Sequence, residues 1–347
     1  MSEKTKPVIL IPSFEPEEEL NRFIEKIRTV TDAPIVISDD GSTGDLCDAV
    51  LREAERQGCI VLRQGAAKGI GKVLKSGFAH ILQKYPEASG CITACQDGQY
   101  TAGDVAACEK ELMAHPDSLI LGCRKVRGFR NFLLKALCFV SGVRVSDPMT
   151  GLRGIPREFL KDLIEVPADG EGFPAELILA SKDKYPVREI PVGTEEKTEN
   201  AVSTCDRIKR RQAMYDVFIR RILSFSIAGA TSTVLDLALF TLFAWLLKDN
   251  SAHVFIATVL ARILSCSYCF LLNRKLVFRA NGSIWKSAAR YAAVSVAEML
   301  ASGSFTTLFC SIFPAASETL LKFFVDSVIS FAGFYVKGKF VFINEKK

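Results

Sequence analysis

Val8-Ile-Leu-Ile-Pro12 and Pro34-Ile-Val-Ile-Ser38 are two short runs rich in β-branched residues, and the stretch between them, residues 16–30, is amphipathic and long enough for a helix. The alternation continues. Residues 60–63, 91–95 and 118–122 read as strands, and residues 46–57, 70–85 and 102–115 read as helices. Strands separated by helices of this length predict an α/β fold with a Rossmann-like, mostly parallel sheet covered on both faces, and ligands in such sheets sit at the carboxyl ends of the strands. Those ends carry Pro12-Ser-Phe-Glu15, Ser38-Asp-Asp-Gly-Ser42 and Cys95-Gln-Asp-Gly-Gln99. Any one of them is an ordinary turn or helix cap, but acids and glycines at three strand mouths together predict a ligand site.

Outward from this half the character changes. The chain has 347 residues, enough for two or three domains, and combines 49% hydrophobic with 24% charged residues at a mean hydropathy of +0.20. The two characters are segregated. Apolar runs at 222–247, 254–272, 291–313 and 319–336, interrupted only by Asp236, Arg262, Glu298, Lys322 and Asp326, are each long enough for a membrane-crossing helix. An all-α membrane domain of four transmembrane helices is expected. The joint at 273–290 carries Arg274, Lys275, Arg279, Lys286 and Arg290 without an acid. Basic residues also precede the first run (Arg207 to Arg221) and follow the fourth (Lys337 to Lys347). By the positive-inside rule this joint, the N-terminal domain and both termini face the cytoplasm, as in a multi-pass protein of the cell membrane. Asn273-Arg-Lys-Leu-Val-Phe278 and Lys337-Gly-Lys-Phe-Val-Phe342 echo each other, as a duplicated helical hairpin would. Ionisable groups at such depth are costly, so Arg262 is expected to pair with an acid from a neighbouring span; structural pairing and a lipid-headgroup path are both open.

Several function classes fall away. A net charge of +5 is too slight for wholesale nucleic-acid binding, and the composition excludes disorder. The eleven cysteines are scattered without paired spacing, and with no signal peptide at the N-terminus they read as reduced thiols. Cys266 and Cys269 have C-x-x-C spacing inside an apolar run and read as small residues of a membrane helix. Gly65-Ala-Ala-Lys-Gly-Ile-Gly-Lys72 has the wrong spacing for a Walker A loop, and Val73 stands where a Ser or Thr would hold magnesium. It nevertheless sets Lys68 and backbone N–H groups at a helix start, a position suited to an anion.

Pro12-Ser-Phe-Glu15, Asp39-Asp-Gly-Ser42, Lys68-Gly69 with Leu74-Lys-Ser-Gly-Phe78, Asp97-Gly-Gln99, Gly122-Cys-Arg124, Asp147-Pro-Met-Thr-Gly-Leu-Arg153 and Glu189-Ile-Pro-Val192 follow one another in an order that resembles family 2 glycosyltransferases of the GT-A fold, in particular the polyprenyl-phosphate hexose synthases such as dolichol-phosphate mannose synthase and GtrB-type enzymes. The four spans resemble a GtrA-like domain. The resemblance implies a GT-A domain at 1–200, a basic juxtamembrane interfacial helix at 201–221 and a GtrA-like domain at 222–343. It implies a polyprenyl-phosphate hexosyltransferase that moves glucose from UDP-glucose, or mannose from GDP-mannose, to a polyprenyl phosphate with inversion. Pro12, Phe14, Glu15, Asp39 and Lys68 would line the nucleotide pocket, with Asp39 the partner of the base. Asp97 and Gln99 would hold Mg2+ or Mn2+. Arg124 and Arg153 would hold the acceptor phosphate, since a guanidinium forks onto phosphate oxygens. Asp147 would orient those arginines or the nucleophile, or cap the loop before Pro148. Asp97, Asp147 and Arg153 are thus the expected catalytic residues.

Cys95 stands where the family's D-x-D-G-Q motif has its first Asp, and a thiol is a poor ligand for a hard divalent ion. Three readings follow: a weaker metal site on Asp97 and Gln99, metal-free neutralisation by Arg or Lys, or a transferase without turnover. Ser203-Thr-Cys205 also lacks the histidine often found there. Residues 129–143, apolar with interspersed Arg and Lys, and residues 206–221, a basic amphipathic run, suit helices lying in the membrane interface. The expected partners are a nucleotide sugar, a polyprenyl phosphate lipid and the membrane, with homo-oligomers compatible and no nucleic acid. A glycolipid flippase and a nucleotide-sugar-binding module are the competing classes.

Overall fold

The computed structural model describes residues 6–95, 100–124, 129–193, 204–248, 253–314 and 317–343. It divides into two compact units, residues 1–139 with 143–217, and residues 140–142 with 218–347.

In the first unit β1 (Val8–Ser13), β2 (Ile35–Asp39), β3 (Ile60–Arg63), β4 (Gly90–Thr93), β5 (Leu119–Cys123), β6 (Arg153–Pro156) and β7 (Val187–Pro191) form one sheet in the order β3-β2-β1-β4-β6-β5-β7. Between the strands run α1 (Glu18–Arg28), α2 (Asp45–Arg56), α3 (Ile70–Lys84), α4 (Ala102–Ala114), α5 (Phe129–Val140), α6 (Arg157–Ile164) and α7 (Phe173–Ser181). β2 and β4 are buried along their whole length, and Ile35-Val-Ile37 and Cys91-Ile92 are accordingly unbroken apolar runs rather than alternating ones. α1 turns Leu20, Phe23, Ile24 and Ile27 inward at helical spacing, while its charged residues stay outside.

All pairings are parallel except those of β6, which runs antiparallel to β4 and β5. This reversal positions the site. A strand that runs backwards starts where its neighbours end, so Arg153, the first residue of β6, lies beside Thr93 and Leu121 at the mouths of β4 and β5.

The second unit is helical: most of α8 (Thr204–Leu246), then α9 (His253–Leu272), α10 (Ile284–Ile312) and α11 (Glu318–Val336). α8 is one continuous helix of 43 residues, with no break between the basic run before residue 222 and the apolar run after it. Among the described residues, the segments Arg211–Leu246 and Ile284–Ile312 are long and apolar enough to cross a membrane by length and composition. Leu223, Ile227, Val234, Leu237, Trp245, Met299 and Leu300 are exposed on these helices, an outward-facing apolar surface suited to lipid rather than water.

α9 and α11 end alike. Each passes into one π turn, Asn273–Val277 and Lys337–Val341, closed by Phe278 N–H to Asn273 O and Phe342 N–H to Lys337 O, both 2.9 Å. The two phenylalanines that follow stack on each other, rings 4.8 Å apart at 16°, inside a cluster with Phe225, Phe270, Tyr291 and Phe334. The matching sequences therefore share their π-turn backbone over 273–277 and 337–341, while Phe278 and Phe342 leave it at different ψ, −16° and 76°.

Candidate active site

The first wall is built at the mouths of β1 and β2. Asp39 closes β2 and is 1% exposed. Its carboxylate accepts the backbone N–H of Ser42 (3.0 Å) and the Ser42 hydroxyl proton, and Ser42 Oγ in turn accepts the N–H of Glu15 (2.7 Å). Glu15 holds a left-handed backbone at φ 47°, which a non-glycine residue keeps only when its surroundings fix it. One side chain, Ser42, thus ties the two strand mouths together, and Phe14 next to it is 51% exposed. Pro12 lies two residues before Phe14, on β1 opposite Ser38.

Asp40 locks the second loop. Its carboxylate accepts the N–H groups of Lys68 (2.8 Å) and Gly69 (3.0 Å). The donors at this helix start, which the sequence suggested for an external anion, therefore already serve an internal one. The Lys68 side chain remains exposed. Gly41, between the two acids, sits at φ 79°, and a Cβ there would come within 2.8 Å of the Ala66 backbone. The close approach of loop 64–69 requires a glycine.

The second wall gathers around β4, β5 and β6. Arg124 donates from Nε to Asp147 Oδ2 (2.8 Å) and from Nη2 to Oδ1 (3.4 Å). Asp147 is 0% exposed and also accepts the N–H of Met149 (3.2 Å), so the same carboxylate orients an arginine and caps its loop. Burial, the largest single influence, works against the charge of Arg124, but the hydrogen bond to Asp147 together with the nearby Tyr100, Asp147 and Cys95 outweighs it and holds the guanidinium above its ordinary value. Tyr100 accepts the Gly151 N–H (2.6 Å), lies 3.1 Å from Thr150 Oγ1 and sits under Arg124. Sequence reasoning passed over Tyr100; the available signal was an aromatic residue directly after Asp97-Gly-Gln99.

Arg153 is 4% exposed, and its Nε has no hydrogen-bond partner among the described residues. Burial lowers its pKa, partly opposed by Tyr100, Cys95 and Asp147. Cys95 lies against Gly151, where an added Cβ would meet Sγ at 2.3 Å. With β2, β1 and β4 adjacent at about 4.8 Å spacing, the columns of Asp39 and Cys95 are about 10 Å apart, the width of a small ligand.

Asp97 and Gln99, the expected metal ligands, lie outside the described residues. Among the described residues no group of three or more His, Cys, Asp or Glu could hold a metal ion. The nearby donors do not fit Mg2+ or Mn2+ on their own. Cys95 is a soft thiol within electrostatic reach of two arginines, and Asp147 is occupied by one of them.

Residues 224–342 match the model of the GtrA/DPMS transmembrane domain. Over 205 residues the chain is 26% identical to the protein MJ1222 of Methanocaldococcus jannaschii, covering 55% of this chain and 82% of that one. Two solved structures similar to it are glucosyl-3-phosphoglycerate synthase from Mycobacterium tuberculosis, in complex with Mn2+, UDP-glucose and phosphoglyceric acid (18% identity, 62% of this chain, 79% of that chain, TM-score 0.49), and the mannosyltransferase PcManGT from Pyrobaculum calidifontis, in complex with GDP-Man and Mn2+ (15% identity, 97% and 88%, TM-score 0.41). By the family match, residues 224–342 are a GtrA/DPMS transmembrane domain, and the chain is a membrane protein that carries it after an N-terminal α/β domain.

Proposed function

We propose that the chain is a membrane-bound inverting glycosyltransferase of GT-A type that moves a hexose from UDP-glucose or GDP-mannose to a polyprenyl phosphate at the cytoplasmic leaflet. The observation that carries the reading is Arg153: a cation almost wholly removed from water, at a strand mouth, with a donor left unpaired. A buried cation with an unsatisfied donor among the described residues is costly, and an anion arriving in the site would relieve it.

In this reading an oxygen of the acceptor phosphate attacks the anomeric carbon, the bond from that carbon to the diphosphate breaks, and the nucleoside diphosphate leaves. The phosphate is already ionised, so the site needs cationic positioning more than a strong base. Arg153 and Arg124 hold it, and Asp147 fixes the angle of the Arg124 fork. Pro12, Phe14 and Glu15 frame the nucleotide pocket. Asp39 shapes that pocket through Ser42, and the Lys68 side chain meets the diphosphate. A divalent ion on Asp97 and Gln99 would supply further charge to the leaving group. Both termini and the α/β domain are assigned to the cytoplasm on the basic joints, with α9 and α11 as the remaining two spans.

Cys95 favours one alternative, a nucleotide-sugar-binding module without turnover. The test is to incubate the purified full chain with a panel of sugar nucleotides and a short polyprenyl phosphate, then weigh the lipid. A lipid heavier by one hexose supports the transferase; nucleotide-sugar binding without any lipid product supports the module.

A further inference from the structure

Each helix of the membrane unit carries a hydrogen-bonded polar or charged residue near mid-depth. Asp236 lies ten residues before the end of α8, Arg262 nine residues into α9, Ser302 ten residues before the end of α10 and Asp326 eight residues into α11. At 1.5 Å per residue these positions are about 12 to 15 Å from the nearer helix ends, close to the middle of a hydrocarbon core of roughly 30 Å. The matched π turns show the register: Arg262 and Asp326 both lie eleven residues before the start of their turn.

These four residues are satisfied differently. Ser302 donates to Asp326, and Ser265 donates to Asp236 (2.8 Å). Among the described residues Arg262 has one ion pair, from Nη2 to Asp236 Oδ2 at 3.2 Å, and 67% of its side chain is exposed. A guanidinium has five N–H donors, so most of this one faces outward at a depth from which no side chain reaches the interface. On insertion scales a charge there costs about 2.5 to 3.5 kcal/mol, and such residues mark binding sites or pathways.

We propose that Arg262, held in place by Asp236, is an intramembrane binding site for the phosphate of a lipid. The planar fork matches phosphate oxygens, and an anion offsets the charge that hydrocarbon cannot. A second copy of the chain is the poorer occupant. The acids available at this depth, Asp236 and Asp326, already accept hydrogen bonds within their own bundle, and the residues flanking Arg262 on the exposed face, Val259 and Ile263, are apolar. The choice of polyprenyl phosphate among lipid phosphates rests on the transferase reading; the site itself does not.

The test uses the full chain in phosphatidylcholine nanodiscs with a polyprenyl monophosphate carrying a photoreactive group beside the phosphate. Crosslinks are mapped by mass spectrometry to the α8 and α9 peptides around Asp236 and Arg262. Loss of a charge-assisted hydrogen bond predicts that Arg262→Gln lowers this labelling at least about tenfold, with Arg262→Lys retaining part of it. The Asp236→Asn, Arg262→Gln pair, neutral overall, keeps the comparison valid should the single variant fold poorly. Competition by unlabelled polyprenyl phosphate alone assigns the site to that lipid. Equal competition by phosphatidylglycerol assigns it to bilayer phospholipid and still supports a lipid-phosphate site. Unchanged labelling in Arg262→Gln overturns the inference, as does a disulfide between two chains through Ile263→Cys. Labelling without hexose transfer removes the transferase reading and leaves this one standing; transfer without labelling does the reverse.

Discussion

Asp147→Asn keeps the shape of the side chain and removes its charge, and the structure sets the size of the effect. The carboxylate is 0% exposed and receives two bonds from Arg124, whose side chain is 17% exposed. Removing one member of a buried ion pair costs about 3 to 5 kcal/mol, because the other charge is left desolvated. Arg124 retains a narrow opening to water, which places the expected loss at the lower end, about 3 kcal/mol. For a unit of some 150 to 250 residues this lowers Tm by about 6 to 12 °C. The assay is thermal unfolding of the full chain in detergent followed by circular dichroism, reading the transition of the α/β unit. The double variant Arg124→Met, Asp147→Leu, which replaces both charges with apolar groups, should recover most of the loss. A shift below about 2 °C in Asp147→Asn would refute the claim that this pair is a buried one.

Three further outcomes follow. Ser42→Ala removes the hydroxyl that joins Asp39 to the Glu15 backbone; it should cost about 1 to 3 kcal/mol and weaken sugar-nucleotide binding measured by calorimetry, while Ser42→Thr should restore binding. Gly151→Ala drives a methyl into Cys95 Sγ and should lower stability by about 1 to 3 kcal/mol, with Cys95→Ala relieving it, both read as Tm. Burial pushes the Cys123 and Cys138 thiols up to about 12 and raises Cys91 and Cys108 as well. The folded chain therefore holds these protons after the unfolded chain has released them, so this stabilisation is complete below about pH 9 and is lost as pH rises toward 12. A Tm that stays flat from pH 9 to 11 would contradict it.

β1, β2, β4 and β5 could be read from sequence because each holds a run of apolar residues bounded by turn formers, and burial produces that signal. β7, Val187-Arg-Glu-Ile-Pro191, is half-exposed with two charged residues and carries no such run; it is a strand through its parallel pairing with β5. β6 gave no such signal. Arg153-Gly-Ile-Pro156 holds one β-branched residue, and it is a strand because β4 and β5 pair with it on either side. The expected residues Arg124, Asp147 and Arg153 meet at one edge through that antiparallel strand, a long-range pairing that local periodicity does not encode. The boundary expected near residue 222 fails to appear as a break in α8 for a local reason. The basic and apolar residues on either side are both good helix formers, and no Gly or Pro intervenes between Thr204 and Ala228. The spare donors at Lys68 and Gly69 looked available from sequence because their acceptor, Asp40, comes from a loop 28 residues away.

The central claim is hexose transfer to a lipid phosphate at the mouths of β1, β2, β4 and β6. It is tested most directly by supplying radiolabelled UDP-glucose or GDP-mannose and a polyprenyl phosphate to the full chain, its Arg153→Gln variant and its Asp97→Ala variant, then counting label in the organic phase. Label should appear with the unaltered chain, fall at least about tenfold with Arg153→Gln, as loss of a charged hydrogen bond implies, and vanish with Asp97→Ala. Label that appears equally with all three, or with none under either sugar nucleotide, would contradict it.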